Sequence, residues 1–327
     1  MSDPLKSFRA ARLEVAFRAL ERIVLPPNAG STFRGAFGRA FRNVGCAALS
    51  LGATDCVLGD RCPYHYVFET RVQPGSAIMT RVESAPRPFV IEPPLDSGRV
   101  YEPGETLTLG LALIGRAIDY LPYFVFAFEE LGRTGLGRGR GRCRLETVSS
   151  LSPHNTADSG GRTLAYVESK RHFSPTLDVL TASDIAAPPD ASSPVTVEFL
   201  TPTRLHHQGR MVEKIDFHVL FRNVLRRVNF LSHFHCDGSL MHDAHELTEA
   251  ARAVTTLASD LRWERWERYS ARQEQRVPMD GMVGRVVYEG DLAPFWPWLA
   301  LGEWVHVGKG ATFGLGRYVI ESAQNDV

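Results

Sequence analysis

Between His306 and Ile320 the chain reads HVGKGATFGLGRYVI, four glycines with one lysine and one arginine, running into an apolar, β-prone tail. Glycine admits backbone conformations closed to other residues and lets the main chain approach a ligand, so amide N–H groups can turn toward anionic oxygens. Lys309 and Arg317 add full positive charge. This chemistry suits a phosphodiester, and it nominates Gly308, Lys309, Gly310, Thr312, Phe313, Gly314, Gly316 and Arg317 as contact residues. Two other glycine loops are excluded. A Walker A loop places its lysine after the last glycine and opens a helix, whereas Lys309 lies between the first two glycines and a strand-like segment follows. A dinucleotide fingerprint needs G-x-G-x-x-G between strand and helix, and Gly308, Gly310 and Gly314 miss that spacing by one residue.

Other stretches offer related chemistry. Arg133, Arg138, Arg140, Arg142 and Arg144 lie close together with no acid between them, as an RNA-backbone contact or a solvated loop would. From Leu261 to Arg276, Trp263, Trp266 and Tyr269 alternate with arginines that include Arg268 and Arg272, a pattern suited to stacking on bases or to a buried tryptophan core. Cys46, Cys56, Cys62 and His65 could complete a tetrahedral zinc site, but C-x9-C-x5-C-x2-H lacks the C-x2-C hairpin, and reduced, buried thiols explain them as well. His206, His207, His233, His235, His242 and His245, with Cys236 among them, have no carboxylate at a recognised ligand spacing.

The elements that must position these groups repeat. Gly-Leu-Gly-Arg occurs at 135–138 and again at 314–317, each time after an aromatic, proline-containing apolar stretch and before a β-prone segment. A helix that ends in a glycine loop and feeds a last strand is the closing half of a β-α-β-β-α-β unit. Leu13 to Leu20 alternates as an opening strand, and a helix is predicted from Phe33 to about Leu51, with Phe33, Phe37, Ala40, Phe41 and Val44 on one face. Its other face carries Arg34, Arg39 and Arg42, either solvated or lining the groove beside the glycine loop. In the second half, Val195–Leu200 is the strand and Ile215–Leu231 the helix. The expected fold is α+β, with tandem ferredoxin-like (RRM-like) domains that each end in a glycine-rich loop. Residues 1–184 form the first, with a Cys/Pro-rich insertion, 185–194 the linker and 195–327 the second.

Length and a 44% hydrophobic, 23% charged composition allow two globular domains. The net charge of zero argues against indiscriminate coating of nucleic acid, while leaving local patches open. An odd cysteine count, no apolar leader and no run long enough to span a bilayer lead us to expect a cytoplasmic, disulfide-free protein without membrane attachment.

Taken together, Phe33-Arg-Gly-Ala-Phe-Gly, Cys62-Pro-Tyr with Phe68-Glu, Gly135-Leu-Gly-Arg, Thr201-Pro-Thr-Arg-Leu, Trp263-x-x-Trp-x-Arg-Tyr-Ser-x-Arg-Gln and the His306–Tyr318 segment give a chain that resembles the CRISPR-associated repeat-processing endoribonucleases of the RAMP superfamily. The resemblance implies tandem ferredoxin-like domains, a glycine loop beside CRISPR repeat RNA, no cofactor, and other CRISPR effector subunits as partners. It also implies cleavage without metal, through attack of the 2′-hydroxyl to leave 2′,3′-cyclic phosphate and 5′-hydroxyl ends. Many relatives place a catalytic histidine on the first helix, and none stands between Asn28 and Gly59. The substitutes are His306, Arg34, His65 and Tyr269, with Arg39 and Lys309 behind them, and a purely structural role for His306 is the competing assignment. A non-catalytic RNA-binding subunit of an effector complex and a zinc-dependent nuclease are the rival functions.

Overall fold

A computed structural model describes residues 4–46, 58–70, 72, 85–96, 98–153, 161–174, 176–188, 193–241, 244–270 and 275–322. The chain forms two compact units: Phe8–Leu180 with Phe234–Asp237, and the remainder, which comprises the residues up to Ser7, Thr181–His233 and those from Gly238 onward.

In the N-terminal unit β1 (Arg9–Ala19) alternates, with Leu13, Val15 and Phe17 buried and Arg12, Glu14 and Arg18 outward. Helix α1 (Gly30–Gly45) buries Phe33, Phe37, Ala40 and Phe41. It stops at Gly45, where Cys46 is already extended (φ −107°, ψ 99°), and residues 47–51 of the expected helix lie outside the described residues. A short helix α2 (Pro63–Phe68), β2 (Phe89–Glu92), β3 (Thr106–Ile114), α3 (Leu121–Thr134) and β4 (Cys143–Leu151) follow. The sheet is antiparallel with core order β2–β3–β1–β4, and β5 (Arg162–Val167) extends it beyond β4. Phe37 sits at the centre of the core, its ring centroid 4.8 Å from Phe128, 5.4 Å from Phe124 and 5.8 Å from Phe89.

The C-terminal unit repeats the plan with β6 (Val195–Thr203), a hairpin of β7 (His206–His207) and β8 (Arg210–Met211), α4 (Phe217–His235), β9 (Thr255–Glu264), a hairpin of β10 (Glu267–Ser270) and β11 (Gln275–Pro278), β12 (Gly281–Glu289), α5 (Trp296–Val305) and β13 (Tyr318–Ser322). Its four-stranded sheet has the order β9–β12–β6–β13. Counting the core strands of each unit in turn, both sheets run second, third, first, fourth, which is the ferredoxin-like arrangement. Part of the expected linker is not free chain: Trp296 Nε1 donates to the Ala186 carbonyl at 3.1 Å, and just before the linker Thr181 and Asp184 form a capping box. Among the described residues no helix is long and apolar enough to cross a membrane.

Candidate nucleic-acid interface

The C-terminal glycine loop joins α5 to β13 and is braced from within. Val307 N–H donates to the Gly316 carbonyl at 2.9 Å, Lys309 N–H to Arg204 at 3.1 Å, Phe313 N–H to Gly310 at 2.8 Å, Gly314 N–H to Ala311 at 2.9 Å and Gly316 N–H to Pro202 at 3.2 Å. Thr201 Oγ1 donates to the Gly314 carbonyl at 2.8 Å and accepts from Arg317 N–H at 2.9 Å. These amides therefore face the protein, which corrects the expectation of an open amide cradle at Lys309, Phe313, Gly314, Gly316 and Arg317. Glycine serves here to let backbone meet backbone, since a Cβ at Gly308 would strike the Arg204 carbonyl and one at Gly316 the Val307 carbonyl. Gly308, Gly310, Phe313 and Arg317 are half-buried and Thr312 is buried, so Lys309 is the exposed residue of the loop.

His306 is also placed differently from a proton carrier. It is 0% exposed, takes a positive φ of 62° straight after α5, and donates from Nδ1 to the Leu315 carbonyl at 3.1 Å. A buried ring tied across the loop braces it; an external phosphate does not reach it. The structural assignment is the one the burial supports.

A set of cations gathers at the rim of this loop. Arg204, at the end of β6, presents its carbonyl to Lys309 and donates from Nη1 to the Pro278 carbonyl. His206 follows on β7 and is exposed; Asn223 of α4 donates from Nδ2 to its carbonyl at 3.2 Å, with exposed Arg226 one turn further along α4. Burial first, then Lys309, Arg204 and Arg226, hold the His206 imidazole below the usual histidine range. Beneath, Arg227 donates from Nε to the Val305 carbonyl at 2.7 Å, where a cation suits the carboxyl end of α5. Burial lowers its pKa to about 10, which leaves it charged near neutrality. Of these, Arg204 lies within the Thr201-Pro-Thr-Arg-Leu stretch, the one local signal in the sequence for this rim.

In the N-terminal unit the loop between α3 and β4 sorts its arginines. Arg133 pairs with Glu130 at 2.8 Å, Arg142 with Glu21 at 2.7 Å and Arg144 with Glu146 at 3.8 Å. Arg138 and Arg140 are exposed and have no carboxylate partner among the described residues. The same holds for Arg39 and Arg42 on the outer face of α1. Arg34 instead lies over the Phe68 ring, 4.5 Å from its centroid, and 5.1 Å from that of Phe89. That stacking ties α1 to α2 and β2 through a cation–π contact. The sheets themselves offer neutralised charge, because Arg12, Arg18, Arg162 and Arg285 are ion-paired with Glu92, Glu146, Glu14 and Glu198.

The metal readings find no assembled site: among the described residues no three His, Cys, Asp or Glu side chains converge as ligands. Cys62 donates its thiol to the Gly45 carbonyl at 3.5 Å, and buried His65 has Nδ1 3.7 Å from Glu69 Oε2. Burial pushes the Cys143 thiol up to about 12 and that of Cys236 up to about 11, far from thiolate at neutral pH. His235 is occupied by Tyr66 Oη at 3.0 Å and the Pro86 carbonyl at 2.7 Å. Cys56, His242, Arg272 and the side chains of Arg268 and Tyr269 lie outside the described residues. Trp263 and Trp266, at the end of β9 and before its hairpin, are half-buried.

Tandem units of one connectivity, each closed by a glycine loop between its second helix and last strand, define the structural class. Residues 8–175 match the family model AF_1859_N, N-terminal domain, and residues 197–318 match that of the CRISPR-associated endoribonuclease Cas6. The first model spans half of the chain, which belongs to that family, and the C-terminal unit carries the match to the CRISPR-associated endoribonuclease Cas6. An uncharacterized protein of Archaeoglobus fulgidus is 28% identical over 306 residues, spanning 91% of this chain and 93% of its own length. The product complex of Cas6 (TTHB231) has the same fold at a TM-score of 0.57 and 17% identity, over 95% of this chain and 99% of that one. Thermus thermophilus Cas6 (TTHB231) aligns with a TM-score of 0.53 and 16% identity, over 96% and 99%. A partial Cas6-RT-Cas1–Cas2 complex matches at 0.56 and 15%, over 97% of this chain and 47% of its own.

Proposed function

We propose that the protein cuts CRISPR precursor RNA within the repeat, without metal, by attack of a ribose 2′-hydroxyl on the adjacent phosphate. The supporting observation is the set of exposed cations left after ion pairing: Lys309 on the C-terminal loop, and Arg39, Arg42, Arg138 and Arg140 in the N-terminal unit. Such groups neutralise phosphates along a strand without reading bases. The reaction needs a base near the 2′-oxygen, an acid near the departing 5′-oxygen and cations on the phosphoryl oxygens. Repeat RNA is the substrate, and the cut stem-loop stays on the protein as a subunit-delivered guide.

Purified protein incubated with repeat RNA in EDTA is expected to yield 2′,3′-cyclic phosphate and 5′-hydroxyl ends. Replacing the 2′-hydroxyl at the scissile position by hydrogen is expected to remove the product. Loss of activity in EDTA, restored by zinc, sinks the metal-free reading. Tight binding with no product supports a non-catalytic RNA-holding subunit, which the burial of both His65 and His306 favours.

The arginine sorting gives a second expected result. Arg138→Gln and Arg140→Gln each weaken binding of uncleavable repeat RNA and reduce its log–log salt slope by about 0.7–0.9, one phosphate contact each. Arg142→Gln, whose guanidinium is held by Glu21, leaves the slope unchanged. Fluorescence anisotropy titrated across salt concentrations reads the difference; equal slopes for all three variants remove this loop from the interface.

A further inference from the structure

We propose that Arg204, His206, Arg226 and Lys309 form one phosphodiester-binding site for RNA, assembled within the C-terminal unit. This deepens the RNA-binding reading above and rests on it. The four residues come from a strand end, a hairpin, a helix and the glycine loop, and hydrogen bonds fix the backbone of the loop and of the hairpin and one end of the Arg204 guanidinium. Lys309 N–H donates to the Arg204 carbonyl at 3.1 Å, Asn223 Nδ2 to the His206 carbonyl at 3.2 Å, and Arg204 Nη1 to the Pro278 carbonyl. Among the described residues, the charged groups that lower the proton affinity of the His206 ring are Lys309 from the loop, Arg204 from its own side and Arg226 from α4. Like charges gathered together repel, by about 1 kcal/mol per pair at 4 Å even in bulk water. An anion relieves that repulsion in proportion to its charge, and a polyanion with regularly spaced phosphates meets groups contributed by four separate elements. The loop's bonds to Arg204 and Pro202 fix the backbone that carries Lys309, so little main-chain ordering is needed when the ligand arrives.

His206 adds a pH dependence of defined sign. Burial and its three cationic neighbours keep the free ring below the usual histidine range, so it is neutral near pH 7. A phosphate beside it offsets those neighbours and raises its proton affinity. RNA then binds together with a proton, and affinity rises as pH falls from neutrality toward the mildly acidic range.

The test uses full-length protein and repeat RNA carrying a 2′-deoxy substitution at the scissile position, titrated by anisotropy across salt at pH 7.5 and 5.5. Arg226→Gln and Lys309→Gln, both at exposed positions, are each expected to lower the salt slope by about 0.7–0.9 and affinity about fivefold, with unchanged melting temperature. His206→Gln is expected to lose the part of the pH response that the wild type shows. Wild-type binding with all three variants unaltered in slope and pH response overturns the site while leaving the RNA-binding function intact. Failure of the wild type to bind repeat RNA at either pH overturns both.

Discussion

Gly316→Ala is expected to lower the melting temperature of the C-terminal unit by about 10 °C or more and to abolish RNA binding through its loop. Gly316 sits at φ 70°, in the left-handed region, and a Cβ there would fall on the Val307 carbonyl. The conformation alone costs an alanine about 1–2 kcal/mol. Backbone atoms cannot swing aside as a side chain would, so the loop must open, and Gly316 is bonded on both sides: its carbonyl accepts from Val307 and its N–H donates to Pro202. Losing two such bonds adds about 1 kcal/mol each, which places the variant among the severe ones, at roughly 3–4 kcal/mol. Gly209→Ala is the control. It also has a positive φ, 79°, but faces open space, so it isolates the conformational part. Circular dichroism melts of the two variants separate these effects; a Gly316→Ala melt no lower than that of Gly209→Ala shows that the loop has slack.

Phe37→Ala is expected to destabilise the N-terminal unit by about 3–5 kcal/mol, because a large ring leaves a cavity that a rigid aromatic core closes poorly. Phe37 is fully buried and its neighbours are themselves rings, from Phe41, Phe68, Phe89, Phe124 and Phe128. The consequence reaches the interface, since Phe37 holds the buried face of α1 while Arg39 and Arg42 occupy its outer face. Loss of the helix scatters both charges, so RNA affinity falls with stability. Phe126→Ala, on the exposed side of α3, is expected to change stability by no more than about 0.5 kcal/mol. Denaturant titration measures both; similar midpoints for the two variants would mean that the core repacks around the missing ring.

Much of the architecture was legible from local pattern. Alternation marked β1, the spacing of Phe33, Phe37, Ala40 and Phe41 marked the inner face of α1, and the repeated Gly-Leu-Gly-Arg marked the place where each unit closes. The same helical spacing put Arg39 and Arg42 outward, where the structure has them. The end of α1 was not legible, because Phe33 to Leu51 contains no proline and Gly45 alone does not announce that the next residue turns extended.

The interface divides along the same line. The residues themselves determined that the chain carries two glycine loops with basic neighbours and no histidine on its first helix. Tertiary structure decided part of which arginines remain unneutralised, since Glu21 reaches Arg142 from 121 residues away, whereas Glu130 and Glu146 pair with Arg133 and Arg144 close by in the chain. It also decided that the C-terminal loop turns its amides inward, that His306 is a buried brace, and that the Arg204 carbonyl accepts from the Lys309 amide. Periodicity and glycine content are properties of neighbours along the chain, whereas burial, charge pairing and the direction of an amide depend on which distant segments the fold brings into contact.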